Sequence, residues 1–437
     1  MKKIKLLNLN KELIMYAKNT SWLFLDKIVR MGVGFIIIVS LTRYLGAEKY
    51  GILSYSQSLV NIFLSFATLG LDTVLVRELV NKIDDEEKLL GTGFILKLIA
   101  STFSIGIILF LNYIILNEDQ SKTLTTIICF TMLFQSLSVI DSYFQSKVMS
   151  KFIVIVNTIS FLISSLVKLL LIFFEFDLIW FAYALLFDSI VLSLGYVSVY
   201  TSKRSSLLNW RFDIYVAKKL FKMAWPLALV AISAFIYTRI DQVMIKHIIG
   251  NEAVGNYAAA IRISELLYFI PIVITTSIFP KIIQEKSSNE TRYLYLLGRL
   301  YKLVTWVSIP IAITISLLSR EITQLLYGNQ FTDSANILAI LAWGIVFTAI
   351  SSVFFKILYS ERYEKKYLQR SLIGAILNIV LNYLLLHAYG VIGAALATII
   401  TLFIMCYIYD LTDKDLRKFY YLKLNIFFLK FKKSKLE

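Results

Sequence analysis

The sequence predicts an all-α polytopic membrane protein, with twelve transmembrane helices in two six-helix lobes. Three observations carry this. Of 437 residues, 58% are hydrophobic and only 17% charged, against about 25% charged in a soluble domain. Apolar stretches long enough to cross a bilayer, which takes about 20 residues of helix, recur along the whole length. They are continuous rather than alternating, which argues against a barrel of strands. Finally, the chain repeats itself. Gly46-Ala47-Glu48-Lys49-Tyr50-Gly51-Ile52-Leu53 aligns without gaps with Gly250-Asn251-Glu252-Ala253-Val254-Gly255-Asn256-Tyr257, 204 residues later. Two such halves, with charges inside the repeated element, read as two bundles around a central site.

The spans are expected at 20–42, 51–76, 91–116, 123–146, 152–174, 178–200, 221–247, 256–280, 296–319, 334–358, 367–387 and 391–410. Alternate loops differ in charge. One set is basic, with Lys203, Arg204, Arg211, Lys218 and Lys219, then Arg362, Lys365, Lys366 and Arg370; the intervening loops are nearly bare. The positive-inside rule then places both termini in the cytoplasm and absorbs most of the formal net charge of +16. The domain division follows: 1–200 an N-terminal lobe, 201–219 a cytoplasmic loop, 220–411 a C-terminal lobe, 412–437 a basic amphipathic cytoplasmic tail lying along the inner leaflet. The fainter match of Leu178–Ala184 with Val391–Ala397 opens the last span of each half. The basic start of the chain reads as a cytoplasmic lead-in, without the small-residue cleavage site of a signal peptide. Pro271 and Pro310 lie within spans, as static kinks or as bending points.

Charges inside spans are costly, on the order of 3 kcal/mol each, and mark function or a partner. On span one, Asp26, Lys27 and Arg30 share a helical face. Asp72, near the same depth on span two, is placed to pair with Lys27. The group reads as a snorkelling interfacial cluster or as a cationic wall for an anion. If spans seven and eight fold back near Glu252, Arg239 is level with Glu265 and Asp241 with Arg262; Arg262 and Glu265 are also three apart. This set is a structural staple or a gate whose pairs exchange. Lys97, Asp141 and Lys168 lie near span ends, where snorkelling satisfies them. Asp188, near mid-span, is a candidate for carrying a proton or sodium ion.

The opening span with Arg30, the stretch LTRYLGAEKYGILSYSQSLVNIFLSFATLGLDTVLVRELV (41–80), its counterpart TRIDQVMIKHIIGNEAVGNYAAAIRISELL (238–267), and YGVIGAALATII (389–400) together resemble the polysaccharide-export flippases. These are the O-antigen and capsule repeat-unit translocases of the multidrug/oligosaccharidyl-lipid/polysaccharide exporter superfamily. The resemblance covers essentially the whole chain. It implies a V-shaped twelve-helix transporter with a central cationic cavity. Its substrate would be an oligosaccharide on undecaprenyl pyrophosphate, turned from the inner to the outer leaflet of a bacterial plasma membrane by alternating access. Lys27, Arg30, Arg239 and Arg262 are the residues that fit substrate binding. Asp26, Asp72, Asp188, Asp241 and Glu265 fit gating or ion coupling. Membrane lipids and a polysaccharide polymerase with its chain-length machinery are the implied partners. No cofactor is expected beyond coupling to H+ or Na+.

Other classes fit less well. A drug–cation antiporter of the same superfamily is the alternative; it favours an acidic cavity, against the basic charges of spans one, seven and eight. An enzyme is not expected, because no nucleophile motif or paired catalytic carboxylates appear. Cys129 and Cys406 both fall in apolar runs, and with only His247 and His387 there is no metal spacing. No nucleic-acid-binding signature is present.

Overall fold

The computed structural model describes the backbone of residues 2–81, 85–115, 118–203, 206–286, 288–361 and 363–424. Side chains within these ranges are described from residue 29, except at 115, 359 and 364. Among the described residues every regular element is helical. Among them eleven helical segments are long and apolar enough to cross a membrane. The one covering Val29–Asn81 holds two of the twelve expected spans. It runs through a kink at Gly46, where φ is 71° and ψ 174°. Gly250, the equivalent residue in the repeat, also has positive φ, 135°. Only glycine enters that region without steric cost, so the repeat preserves the turn as well as the letters.

The chain forms two compact units, Met1–Leu45 with Ser56–Phe235 and Gly46–Tyr55 with Ile236–Glu437. In the first, α1 (Lys2–Thr68) and α2 (Leu71–Asn81) are followed by α3 (Glu86–Ile115). The fourth span is broken. It runs as α4 (Asp119–Cys129), α5 (Thr131–Gln135), a tight turn at Ser136–Ser138, and α6 (Val139–Ser146). The fifth and sixth are α7 (Ser150–Phe173) and α8 (Leu178–Lys203). The core joins Leu71, Leu75 and Leu79 of α2 to Leu89, Ile140, Phe144 and Tyr200. Val216, Leu220 and Ala224 of α9 (Ile214–Ile248) complete it. The first unit thus reaches past the loop at 201–219 into α9, because the start of that helix carries an apolar stripe that packs on α2.

The second unit continues with α10 (Asn251–Lys286) and α11 (Glu290–Leu317), both unbroken through Pro271, Pro280 and Pro310. A short amphipathic α12 (Ser319–Tyr327) leads to a second broken span, α13 (Ser334–Leu341) and α14 (Gly344–Ser360). Its break lies near the repeat distance from that at Ser136–Ser138. Then come α15 (Glu364–Tyr389) and α16 (Val391–Phe403), a π turn at Ile404–Ile408, α17 (Tyr409–Thr412) and α18 (Arg417–Leu424). The described part of the expected surface tail packs one face inside: Leu416, Phe419 and Leu422 belong to the unit's core with Tyr301, Phe354 and Ile357, while Arg417, Lys418 and Tyr421 stay exposed.

Candidate functional site

The first unit gathers charges around the break in its fourth span. Lys97 of α3 is 1% exposed. It forms an ion pair with Asp72 of α2 and donates to Ser138 Oγ at 2.7 Å. Ser138 is available because the helix tightens there, and Ser138 Oγ lies 3.4 Å from the same Asp72 carboxylate. One turn on, Asp141 accepts from Gln145 Nε2 at 3.0 Å and feels the charges of Asp72, Lys97 and Arg30. Arg30 is exposed. One buried cation and two carboxylates thus gather where a span is discontinuous, a common construction of transporter sites.

Lys97 does not snorkel, as its position near a span end suggested. A buried ammonium needs a counter-charge and acceptors, and Asp72 with Ser138 supplies both. Asp72 was expected to meet Lys27. The side chains of Lys27 and Asp26 lie outside the described residues, and the partner seen for Asp72 is Lys97. Asp188 does not stand alone. Lys168, one helix away on α7, pairs with it, leaving Asp188 Oδ1 buried without a hydrogen bond.

The second unit carries two adjoining groups on α9 and α10. Arg239 Nη2 meets Glu265 Oε1 at 3.0 Å, as antiparallel register predicts. Arg262 Nη1 takes the other oxygen of Glu265 at 3.3 Å from one turn away. Two guanidiniums share one carboxylate, and all three side chains keep partial exposure. Net positive charge remains for an incoming anion. Asp241 departs from expectation, because its partner is not Arg262. It is 1% exposed and accepts from Tyr257 Oη at 2.6 Å, Asn382 Nδ2 at 2.8 Å and Thr398 Oγ1 at 2.9 Å. These neutral donors come from α10, α15 and α16. They satisfy the carboxylate without neutralising it. Asn378, Asn382 and Thr398 were not singled out in the sequence, where polar residues in apolar runs carry no mark of which helix they face. Among the described residues no cluster of three or more His, Cys, Asp or Glu side chains is arranged to hold a metal ion.

This fold and these charge groups define a multi-pass membrane protein of the transporter type. Solved structures with the same fold include the lipid II flippase MurJ in an inward closed conformation, with TM-score 0.67 and 16% identity over 94% of this chain and 90% of that one. An inward-facing multidrug resistance transporter of the MATE family gives 0.65 and 14%, over 91% and 94%. A transporter of the MOP superfamily from Pyrococcus furiosus gives 0.64 and 13%, over 94% and 96%. At such identities the likeness is one of fold. The chain belongs to the polysaccharide biosynthesis protein family, whose model matches residues 40–336. A curated relative, the probable low-salt glycan biosynthesis flippase Agl15 of Haloferax volcanii, is 25% identical over 389 residues, 87% of this chain and 80% of that protein.

Proposed function

We propose that the protein is a flippase for lipid-linked glycans. It turns oligosaccharide repeat units on undecaprenyl pyrophosphate from the inner to the outer leaflet of a bacterial plasma membrane by alternating access. It does so for O-antigen, capsule or related polysaccharides, with both termini in the cytoplasm. The observation that carries this reading is the Arg239–Glu265–Arg262 group. A pyrophosphate crossing a medium of low dielectric needs compensating charge, and guanidiniums bind phosphate oxygens through paired, charge-assisted hydrogen bonds. Glu265 holds both arginines in place while the site is empty. An arriving phosphate takes over their donors, so the pairs exchange rather than break. Arg30, which is exposed, offers a guanidinium of the same kind in the first unit. The family match and the glycan-flippase relative support the substrate class.

Asp241 is the group we assign to ion coupling. Binding H+ or Na+ removes its uncompensated charge, and α9 carries it within one turn of Arg239, so occupancy can bias the arginine pairs. The chain catalyses no bond-making step in this reading; a polymerase with its chain-length machinery would consume the product.

The test is flipping of a fluorescent polyprenyl-pyrophosphate glycan in proteoliposomes. Arg239→Gln and Arg262→Gln should each slow it by roughly tenfold or more, since a charge-assisted bond contributes about 1.5–3 kcal/mol. Wild-type rates in both variants, with normal insertion, would refute the assignment. Drug efflux without glycan flipping would favour an antiporter instead.

A further inference from the structure

The interior of the second unit holds more polar chemistry than substrate binding uses. Besides Asn382 Oδ1 and Thr305 Oγ1, four side chains of this unit carry buried polar atoms with no hydrogen-bond partner among the described residues. These are Tyr237 Oη, Asn378 Nδ2, Tyr301 Oη and Asp410 Oδ1. They are not scattered. Asn378 lies one turn from Asn382, and Asn382 Nδ2 donates to both the carbonyl and the side-chain oxygen of Asn378, at 2.9 and 3.1 Å. Tyr237 lies one turn from Asp241, with Arg370, Cys406 and Tyr268 also in its neighbourhood. Tyr301 in turn lies in the neighbourhood of Asp410, Arg370 and Cys406. The sequence of groups ends at Asp410 and Lys423, an ion pair with both side chains 0% exposed.

The π turn fits this series. It frees main-chain carbonyls from the helical ladder. Arg370 Nη2 takes the carbonyl of Met405 at 2.8 Å and Lys423 Nζ that of Cys406 at 3.0 Å. Both cations also lie over the Phe354 ring. Two cations and one carboxylate are thereby enclosed beneath α18. Asn382 and Arg370 are twelve residues apart on α15, about 18 Å along the axis, so the series spans much of the unit's depth.

Unpartnered hydroxyl, amide and carboxylate atoms in such a line are costly if dry, and water is their ordinary partner. We propose that this interior is a hydrated file through which protons pass between Asp241 and the α18 side of the unit, with Lys423 closing its end. The inference rests on the coupling role given to Asp241 and adds a route, an end and a gatekeeping residue. Asp241 is faced along the way by Arg239, Tyr257 and Tyr237. Lys423 is faced by Asp410, Arg370 and Cys406.

X-ray hydroxyl-radical footprinting of the full chain in nanodiscs tests the hydration. Tyr301 should be labelled several-fold faster than Tyr327, which is as deeply buried but donates to the Ala259 carbonyl at 3.1 Å. Labelling at the Tyr327 rate overturns the file. Proton uptake by proteoliposomes after an acid jump, read with an entrapped pH dye, tests conduction. Tyr237→Phe and Tyr301→Phe remove hydroxyls that bond nothing among the described residues, so both variants should fold. Each should slow uptake several-fold, and wild-type uptake in both overturns conduction. Asp241→Asn should abolish coupled uptake. If it does not while Tyr301 still labels, the coupling role falls and the hydrated interior stands.

Discussion

Gly51 and Gly255, equivalent residues of the internal repeat, pack each against the other's helix start. A side chain on Gly51 would collide with the carbonyl of Asn251, and one on Gly255 with the carbonyl of Ala47. Ala47 and Asn251 are themselves equivalent, so the contact is reciprocal, as two-fold pseudo-symmetry requires. The repeat therefore preserves a backbone-to-backbone helix crossing that only glycine allows. It also explains why Gly46–Tyr55 groups with the second unit, apart from the rest of α1.

The first prediction follows from that crossing. Gly51→Leu or Gly255→Leu should each destabilise the protein by about 1–3 kcal/mol, the usual cost of overpacking. Because one crossing absorbs both changes, the double variant should lose less than the sum of the singles. Gly32→Ala is the control, since a side chain there meets nothing within 4 Å. Thermal unfolding in detergent reads all four. An additive double variant would mean the two glycines do not share a contact.

Asymmetry in the Lys97–Asp72 pair gives the second. Lys97 is enclosed, whereas half of the Asp72 side-chain surface is exposed. Losing Asp72 strands a buried ammonium on Ser138. Losing Lys97 leaves a carboxylate that remains half exposed. Asp72→Asn should therefore cost about 3–5 kcal/mol and Lys97→Met about 1 kcal/mol. The reverse order in denaturant unfolding would rule out this account of who stabilises whom.

The same residues show how far the sequence could be read. Antiparallel register, counted from Glu252, placed Arg239 opposite Glu265, and the structure has them at 3.0 Å. The same count set Asp241 opposite Arg262 and failed, because equal depth is not equal facing. Two residues on from Arg239, Asp241 is turned by about 200° around the helix and looks inward to Tyr257, Asn382 and Thr398. Lys168 and Asp188 were legible as charges but not as a pair, since nothing in one helix's sequence gives its rotation against the next. Lys423 was hidden more completely. A basic, aromatic segment reads as interfacial, and only the buried Asp410 on α17 shows why one of its lysines turns inside.

A third prediction concerns the connection into α9. The Asp213 carboxylate accepts from the main-chain N–H groups of Val216 and Tyr215, at 3.3 and 2.8 Å, with Lys88 Nζ 3.6 Å away. These donors hold its carboxyl below the usual aspartate range, Val216 first. The charged form is thus favoured by folding. Its stabilisation is complete above the unfolded value of about 3.9 and is lost as pH falls through the lower folded value. Asp213→Ala should unfold at a lower temperature than wild type near neutral pH, and the gap should narrow below about pH 4. A gap that stayed constant across that range would show that the cap is not what the carboxylate provides.

The last prediction separates a charge pair from its parts. Asp410 and Lys423 are fully buried together, with Arg370 close by. Burial pushes the Lys423 ammonium below its ordinary range, and Asp410 pulls it back. Removing one partner leaves the other's charge enclosed, which costs about 3–5 kcal/mol; removing both need cost little. Lys423→Met and Asp410→Asn should each lower the unfolding temperature sharply. The double variant should recover part of the loss, with Arg370 then left on the Met405 carbonyl and the Phe354 ring. Recovery would show coupling across the α17–α18 turn. Losses that simply add would mean that Lys423 is held by the Cys406 carbonyl and by packing rather than by Asp410, and that α18 is anchored by its apolar face alone.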